Sequence, residues 1–229
     1  MFYYDSTYLV ILPALIFALW AQILVQSTYS KYNKIGTKCG MTGYDAARLI
    51  LDSNGLTGVR IEHIAGELTD HFDPTANVIR LSGGVYGSTG IAAVGVAAHE
   101  AGHAVQYAKG YSPMKLRAAI IPATRIGSTL AMPIFLIGFI FSLYELAMIG
   151  IILYSLTAVF QAVTLPVEFN ASRRALAALR SCGRLDGSEI SGARKVLTAA
   201  ALTYVAALAS SLAQVLRLML LIGRRNDRR

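Results

Sequence analysis

The stretch STGIAAVGVAAHEAGHAVQYAKG, Ser88 to Gly110, decides how the chain is read. Small apolar residues without proline, opened by Ser88 as an N-cap, predict a helix. The apolar part ahead of His99, Ile91–Ala98, is far shorter than the ~20 residues a bilayer crossing needs. The helix therefore belongs to a globular part and is not a span. On it stands His99-Glu100-Ala101-Gly102-His103. Histidines at i and i+4 share one helical face and can hold one Zn²⁺ together, and Glu100 is then placed to take a proton from a metal-activated water. The bland alternative is a packing helix with incidental histidines. In this composition the pattern arises by chance in on the order of one shuffle per thousand, which favours zinc.

The surrounding chain is 55% hydrophobic and only 15% charged over 229 residues, with a mean hydropathy of +0.51. A soluble domain averages about 25% charged residues, and disordered chains are apolar-poor, so both classes are excluded. Two cysteines, Cys39 and Cys182, are too few for a disulfide framework. The composition is that of an integral membrane protein. A first apolar run, Tyr8–Val25, has no Lys or Arg ahead of it, so an anchor is expected rather than a cleaved signal peptide. Trp20 is a residue for the membrane interface. A second run, Ala118–Ser142, contains Pro122, Arg125 and Pro133, so interfacial or kinked first turns are expected. A third, Leu146–Val167, is charge-free, and Ser142–Glu145 joins the two as a tight hairpin. The fourth, Leu197–Gly223, is small-residue-rich and carries Arg217. It spans, or its first half packs within the globular part.

These runs divide the chain into a transmembrane anchor (1–28), a region carrying the zinc helix (29–117), a transmembrane hairpin (118–167), a helix with a basic segment (168–196), and a fourth hydrophobic helix with a basic tail (197–229). The expected fold is a mainly α membrane protein, with three to four transmembrane helices and a small α+β domain. Lys31, Lys34 and Lys38 follow the first run, and Arg173, Arg174, Arg180 and Arg184 follow the third. The positive-inside rule places both flanks, and hence the histidines, at the cytoplasmic face. The tail Arg224, Arg225, Arg228 and Arg229 disagrees, because a fourth crossing would carry it outside. The net charge of +8 thus marks membrane flanks. It implies contact with the bilayer, including anionic lipids, and not with nucleic acid, for which no reader motif exists.

A catalytic zinc has a third protein ligand and an open position. The metzincin third-histidine position holds Lys109. Glu145 lies across the membrane. Glu168, in LPVEFNASRRAL from Leu165 to Leu176, directly follows the third run on the histidines' side, and is the favoured ligand. It would open an amphipathic helix, where an acid is also at home for electrostatic reasons alone. Leu185-Asp186-Gly187 echoes the site-2-type intramembrane proteases, but Asp186 sits in a polar turn. His63 and His71 lack helical spacing to His99. Asn77–Ser82 alternates between turn residues and reads as a strand, whose edge would pair with an extended substrate or merely support the core. Asp70, His71 and Asp73 are suggestive without an assigned role.

With these residues in view, the chain resembles the YugP-type family of bacterial membrane zinc metallopeptidases. The resemblance runs through LTDHFDP from Leu68, VIRLSGGVYGS from Val78, VGVAAHEAGHAVQ from Val94, LPVEFNASRRAL from Leu165 and LTYVAA from Leu202. More distantly it is similar to gluzincins of the HtpX and CAAX-prenyl-protease type. The resemblance implies a gluzincin-like peptidase domain, one zinc held by His99, His103 and Glu168, Glu100 as the catalytic residue, and a bacterial plasma-membrane location. The distant relatives place Asp four residues after the glutamate ligand, where this chain has Ser172. Ser172 would then orient a histidine more weakly, His71 is a further residue for that shell, and Tyr204 is a candidate to hydrogen-bond the oxyanion. A zinc endopeptidase cutting membrane proteins or peptides is the expected function. A zinc-stabilised scaffold that has lost cleavage, or a site-2-type protease using Asp186, is the alternative. A transporter is disfavoured by the scarcity of ionisable residues in the apolar runs.

Overall fold

The computed structural model describes residues 6–226, without the side chains from residue 224 onward. The side chains of Arg224 and Arg225, and the whole of Arg228 and Arg229, therefore lie outside what is described. Among the described residues, seven helices and three strands follow in the order α1 (Tyr8–Asn33), α2 (Gly43–Ser53), β1 (Arg60–Ile64), β2 (His71–Asp73), β3 (Val78–Ser82), α3 (Gly83–Tyr86), α4 (Ile91–Ala108), α5 (Ser112–Ile140), α6 (Tyr144–Ser181) and α7 (Gly187–Asn226). The fold is a mainly α membrane protein with a small α+β part. Four helices, α1, α5, α6 and α7, are long and apolar enough to cross a bilayer, so the fourth run meets the requirement as well. The chain forms two compact units.

One unit takes the chain up to Gln22, Leu116–Leu165 and Leu202 onward. Its helices expose Leu12, Ile16, Ile126, Ile137 and Ile152, a surface that water would not tolerate and hydrocarbon does. Inside it, α5 and α6 form the predicted hairpin. Ser142 turns the chain with φ 59°, and the Leu143 N–H closes the end of α5 on Gly138 O at 2.8 Å. The two helices meet through glycine: Gly138 lies against the Ala147 backbone, and Gly150 against Phe135, where a Cβ would come within 2.6 Å of the Phe135 nitrogen. Small residues substitute here for the hydrophobic drive that lipid removes. Arg217 lies 3.9 Å over the Tyr8 ring, which sets this cation against a π-face.

The other unit comprises Ile23–Lys115 and Pro166–Ala201. Its core is built from Met41, Ile50, Leu51, Ile79, Leu81, Val94, Leu179 and many alanines. Helix α2 opens with a full capping box, in which the Asp45 N–H donates to Thr42 Oγ1 and the Thr42 N–H to Asp45 Oδ2. The sheet order is β1-β3-β2, with β1 parallel and β2 antiparallel to β3. Between β2 and β3, Asp73 Oδ1 accepts the Thr75 and Ala76 amides, and Asn77 takes the left-handed conformation at φ 51°. This is turn chemistry for which Asp and Asn are suited.

Several expectations change. The zinc helix starts at Ile91 with Gly90 as N-cap, because Ser88 Oγ instead accepts the Gly90 N–H at 3.1 Å. The strand Val78–Ser82 is central and paired on both sides, so it has no edge to offer a substrate. The edges are β1 and β2. Pro122 and Pro133 lie inside a continuous helix that begins earlier, at Ser112. The helix expected to open at residue 168 does not begin there. Pro166 lies within one 38-residue helix, so Glu168 stands in mid-helix and not at an N-terminus. Favourable placement near a positive helix end therefore does not explain that acid.

Candidate metal centre

Helix α4 is apolar almost all round, and 14 of its 18 residues are buried. A helix of that kind must be enclosed by other elements. Part of the enclosure is the second half of α6, whose Val167, Ala171, Ala175 and Leu179 repeat every four residues and are all 0% exposed. Alanine and glycine at the contact let the two backbones approach. At Gly102 a Cβ would lie 2.6 Å from Ala171 O. The glycine within the H-E-x-x-H motif is thus set by packing. On its other side α4 meets α7, where Gly95 faces Ala193.

This approach carries Glu168, 2% exposed, to the two histidines. Glu168 Oε2 lies 3.1 Å from His99 Nε2 and 3.5 Å from His103 Nε2. One ligand atom from each of the three residues falls within 4.8 Å of the others, a group able to hold a metal ion. Ligand atoms about 2.0–2.1 Å from a tetrahedral Zn²⁺ lie roughly 3.3 Å apart, and the 3.1 and 3.5 Å separations bracket that value. Two imidazoles and one carboxylate, with a position left open, also form a donor set typical of catalytic zinc. The residues present fit the metal.

The other ring nitrogens are also engaged. His99 Nδ1 lies 3.1 Å from Ser172 Oγ, and His103 Nδ1 lies 3.0 Å from Gln106 Oε1. Glu168 and Ser172 are one helical turn apart on α6, so they meet opposite sides of the His99 ring. Glu100 is buried on α4 between the two histidines, and its Oε2 accepts the Phe72 N–H of β2 at 3.0 Å. Burial pushes the Glu100 carboxyl up from its ordinary value, while His103 and His99 pull it back. Burial would lower His103, but its hydrogen bond to Glu168 and the charge of Glu100 lift it above its ordinary value instead. Two carboxylates thus make the site attractive to positive charge, which a divalent cation supplies.

Other expected residues lie elsewhere. His71, expected beside the metal, places Nδ1 2.8 Å from Thr69 O and receives Arg80 Nη1 at 3.4 Å on Nε2. Its strand position turns the ring toward the β3 arginine. His63 packs edge-on against Tyr86 at 5.6 Å. Asp186 is committed twice: Oδ1 caps α7 by accepting the Ser188 and Glu189 amides, and Oδ2 pairs with Lys38 at 2.6 Å. That removes it from the role of metal ligand. Asp70 accepts the Ser82 N–H and hydroxyl, and Asp73 pairs with Arg80, so both brace the sheet. Tyr204 lies half-buried on α7, in the other unit. Sequence reasoning missed Gln106 and the Phe72 amide. Helical i, i+3 spacing from His103 was the available signal for Gln106; nothing in the sequence marked a backbone N–H.

Comparison with known proteins places the chain among zinc metallopeptidases. A family model described as "putative neutral zinc metallopeptidase" matches residues 7–223. A relative from Bacillus subtilis (strain 168), named "Putative membrane protease YugP", is 46% identical over 210 residues, covering 92% of this chain and 93% of its own. No solved structure matches. Since the family model runs through all four long helices and the zinc helix alike, the chain belongs to this family of zinc metallopeptidases.

Proposed function

We propose that the protein is a zinc endopeptidase of the gluzincin type that cuts membrane proteins or peptides at the cytoplasmic face of a bacterial plasma membrane. His99, His103 and Glu168 would hold one zinc per chain, with Glu100 as general base. The observation that carries this is the meeting of His99 Nε2 and His103 Nε2 on Glu168 Oε2, across two separate helices, with a buried glutamate adjacent.

Zinc bound there would supply a Lewis acid that polarises a scissile carbonyl and makes water acidic enough to lose a proton near neutral pH. The chain's own residues do the rest. Glu100 takes the proton from the attacking water and returns it to the leaving amine, so a carboxyl whose affinity for protons is raised by burial suits both halves of the task. Its hydrogen bond from the Phe72 amide holds the carboxylate in one orientation. Ser172 braces His99 from behind. The β2 strand, which reaches Glu100 through Phe72, replaces β3 as the edge where an extended substrate would pair.

Location rests on the charge pattern. Lys31, Lys34 and Lys38 beyond the first run, and the arginines beyond the third, support a cytoplasmic site and contact with anionic headgroups. The bacterial relative supports a plasma-membrane setting. Glu168 follows directly on a charge-free run within one helix, which supports substrates held at the bilayer.

The test uses full-length protein purified in mild detergent. Zinc content near one per chain is expected, and Glu100→Gln should keep the metal while lowering cleavage of a membrane substrate by about 10²-fold or more. A metal-free preparation that cannot be loaded overturns the reading. Wild-type cleavage by Glu100→Gln would instead favour a site whose base lies elsewhere. If neither protein cleaves and both hold zinc, the scaffold alternative gains.

A further inference from the structure

Gln106 is 0% exposed and stands three residues after His103. A buried amide must satisfy both its ends, and here the partners fix which end is which. Arg174 is the starting point, because a guanidinium only donates. Arg174 Nε donates to Asn170 at 2.8 Å, so the atom that receives it is the amide oxygen, Oδ1. The same Oδ1 lies 3.0 Å from the Gln106 side chain, and Val167 O lies 2.8 Å from it. Two acceptors demand a donor, so Gln106 turns its Nε2 to them and its Oε1 to the opposite side. Oε1 lies 3.0 Å from His103 Nδ1, which must then carry the proton. Neutral His103 is left with its lone pair on Nε2, the nitrogen that faces Glu168.

We infer that Gln106, with Asn170 and Arg174, forms a relay that sets the tautomer and ring angle of His103 so that its Nε2 is ready to bind the metal. The inference rests on the zinc-peptidase reading above and adds positioning residues to it. Each link is dictated by donor and acceptor type: Arg174 and Gln106 on either side both donate to Asn170 Oδ1 on α6, and His103 Nδ1 on α4 donates to Gln106 Oε1. Among the described residues, His99 Nδ1 meets Ser172, a hydroxyl that can donate or accept and so imposes no tautomer. His103 is therefore the histidine whose binding form is set in advance, and His99 adapts to it.

The experiment compares metal affinity in the full-length chain, by zinc competition with a chromophoric chelator and by the visible spectrum of the cobalt-loaded protein. Gln106→Leu should bind zinc about 10–100-fold more weakly, the usual cost of losing such an outer partner. Asn170→Ala, at a half-buried position, should also weaken binding and alter the cobalt bands, whereas Asn170→Asp keeps both acceptor functions and should restore them. Thermal unfolding of the metal-free forms checks that the variants fold. If Gln106→Leu does not fold, the Asn170 pair decides: equal affinity for Ala and Asp overturns the relay. Wild-type affinity and spectrum in a folded Gln106→Leu also overturn it. Should the wild type itself take up no metal, the zinc reading falls first and the relay with it.

Discussion

Gly102 stands between Glu100 and His103, and the carbonyl of Ala171 occupies the place its side chain would need. Gly102→Ala forces α4 and α6 apart, since backbone cannot rotate away as a flexible side chain can. The expected cost is about 1–3 kcal/mol, but the effect on the metal should be larger than on the fold. Glu168 reaches the histidines only because the helices touch. Zinc content and thermal unfolding in detergent, measured on the same sample, check this: unchanged zinc would show that the site tolerates the separation. Ser172→Ala removes the group behind His99 Nδ1 and should weaken zinc about tenfold. Chelator competition reads that change, and it should be smaller than the effect of Gln106→Leu, because a hydroxyl constrains the ring less than a fixed amide.

Among the elements, α2 shows how a short amphipathic helix is held. Its capping box joins Thr42 and Asp45, and Arg48 ties the helix to the following loop by donating to Leu56 O and Val59 O. Thr42→Ala should cost about 1 kcal/mol. The sign of its pH dependence follows from Asp45, whose carboxyl is held below its ordinary value by the Thr42 hydroxyl and amide. A carboxyl with a lowered folded pKa stabilises the fold above its unfolded pKa and loses that contribution as pH falls through the folded one. The stability gap between wild type and Asp45→Asn should therefore be full at neutral pH and close below about pH 4. Unfolding curves at several pH values test it, and a gap that persists in acid would assign the effect to packing. Helix α6 makes a different point. A chain segment that reads as a span and a separate polar helix is one continuous helix, because a single internal proline can be accommodated when neighbouring helices support the backbone.

For the molecule as a whole, sidedness follows from where the cations stand. The proposed orientation puts the α5–α6 turn outside, with Cys39 and Cys182 inside. In intact cells, a membrane-impermeant maleimide should label a cysteine placed at Glu145 in a chain whose own cysteines are replaced by serine. It should reach Cys39, which is exposed, only after permeabilisation. The reverse pattern would move the metal centre to the outer face and remove the cytoplasmic substrates from consideration.

The amino-acid sequence by itself determined the features that depend on local spacing or on accumulated hydrophobicity. The i, i+4 histidines with Glu100 are one turn of a helix, so their common face needs no tertiary information. A charge-free run as long as Leu146–Val167 is long and apolar enough to cross hydrocarbon without tertiary information. Glu168 was reachable by eliminating its rivals. Tertiary structure alone decided what depends on two distant segments meeting. That β3 lies inside the sheet, that Asp186 is taken by Lys38, and that the Phe72 amide reaches Glu100 are facts about pairings between segments far apart in the chain. The polarity of the Gln106 amide belongs with them. It is imposed by acceptors 61 and 64 residues away, and a lone glutamine in a sequence carries no sign of which way it faces.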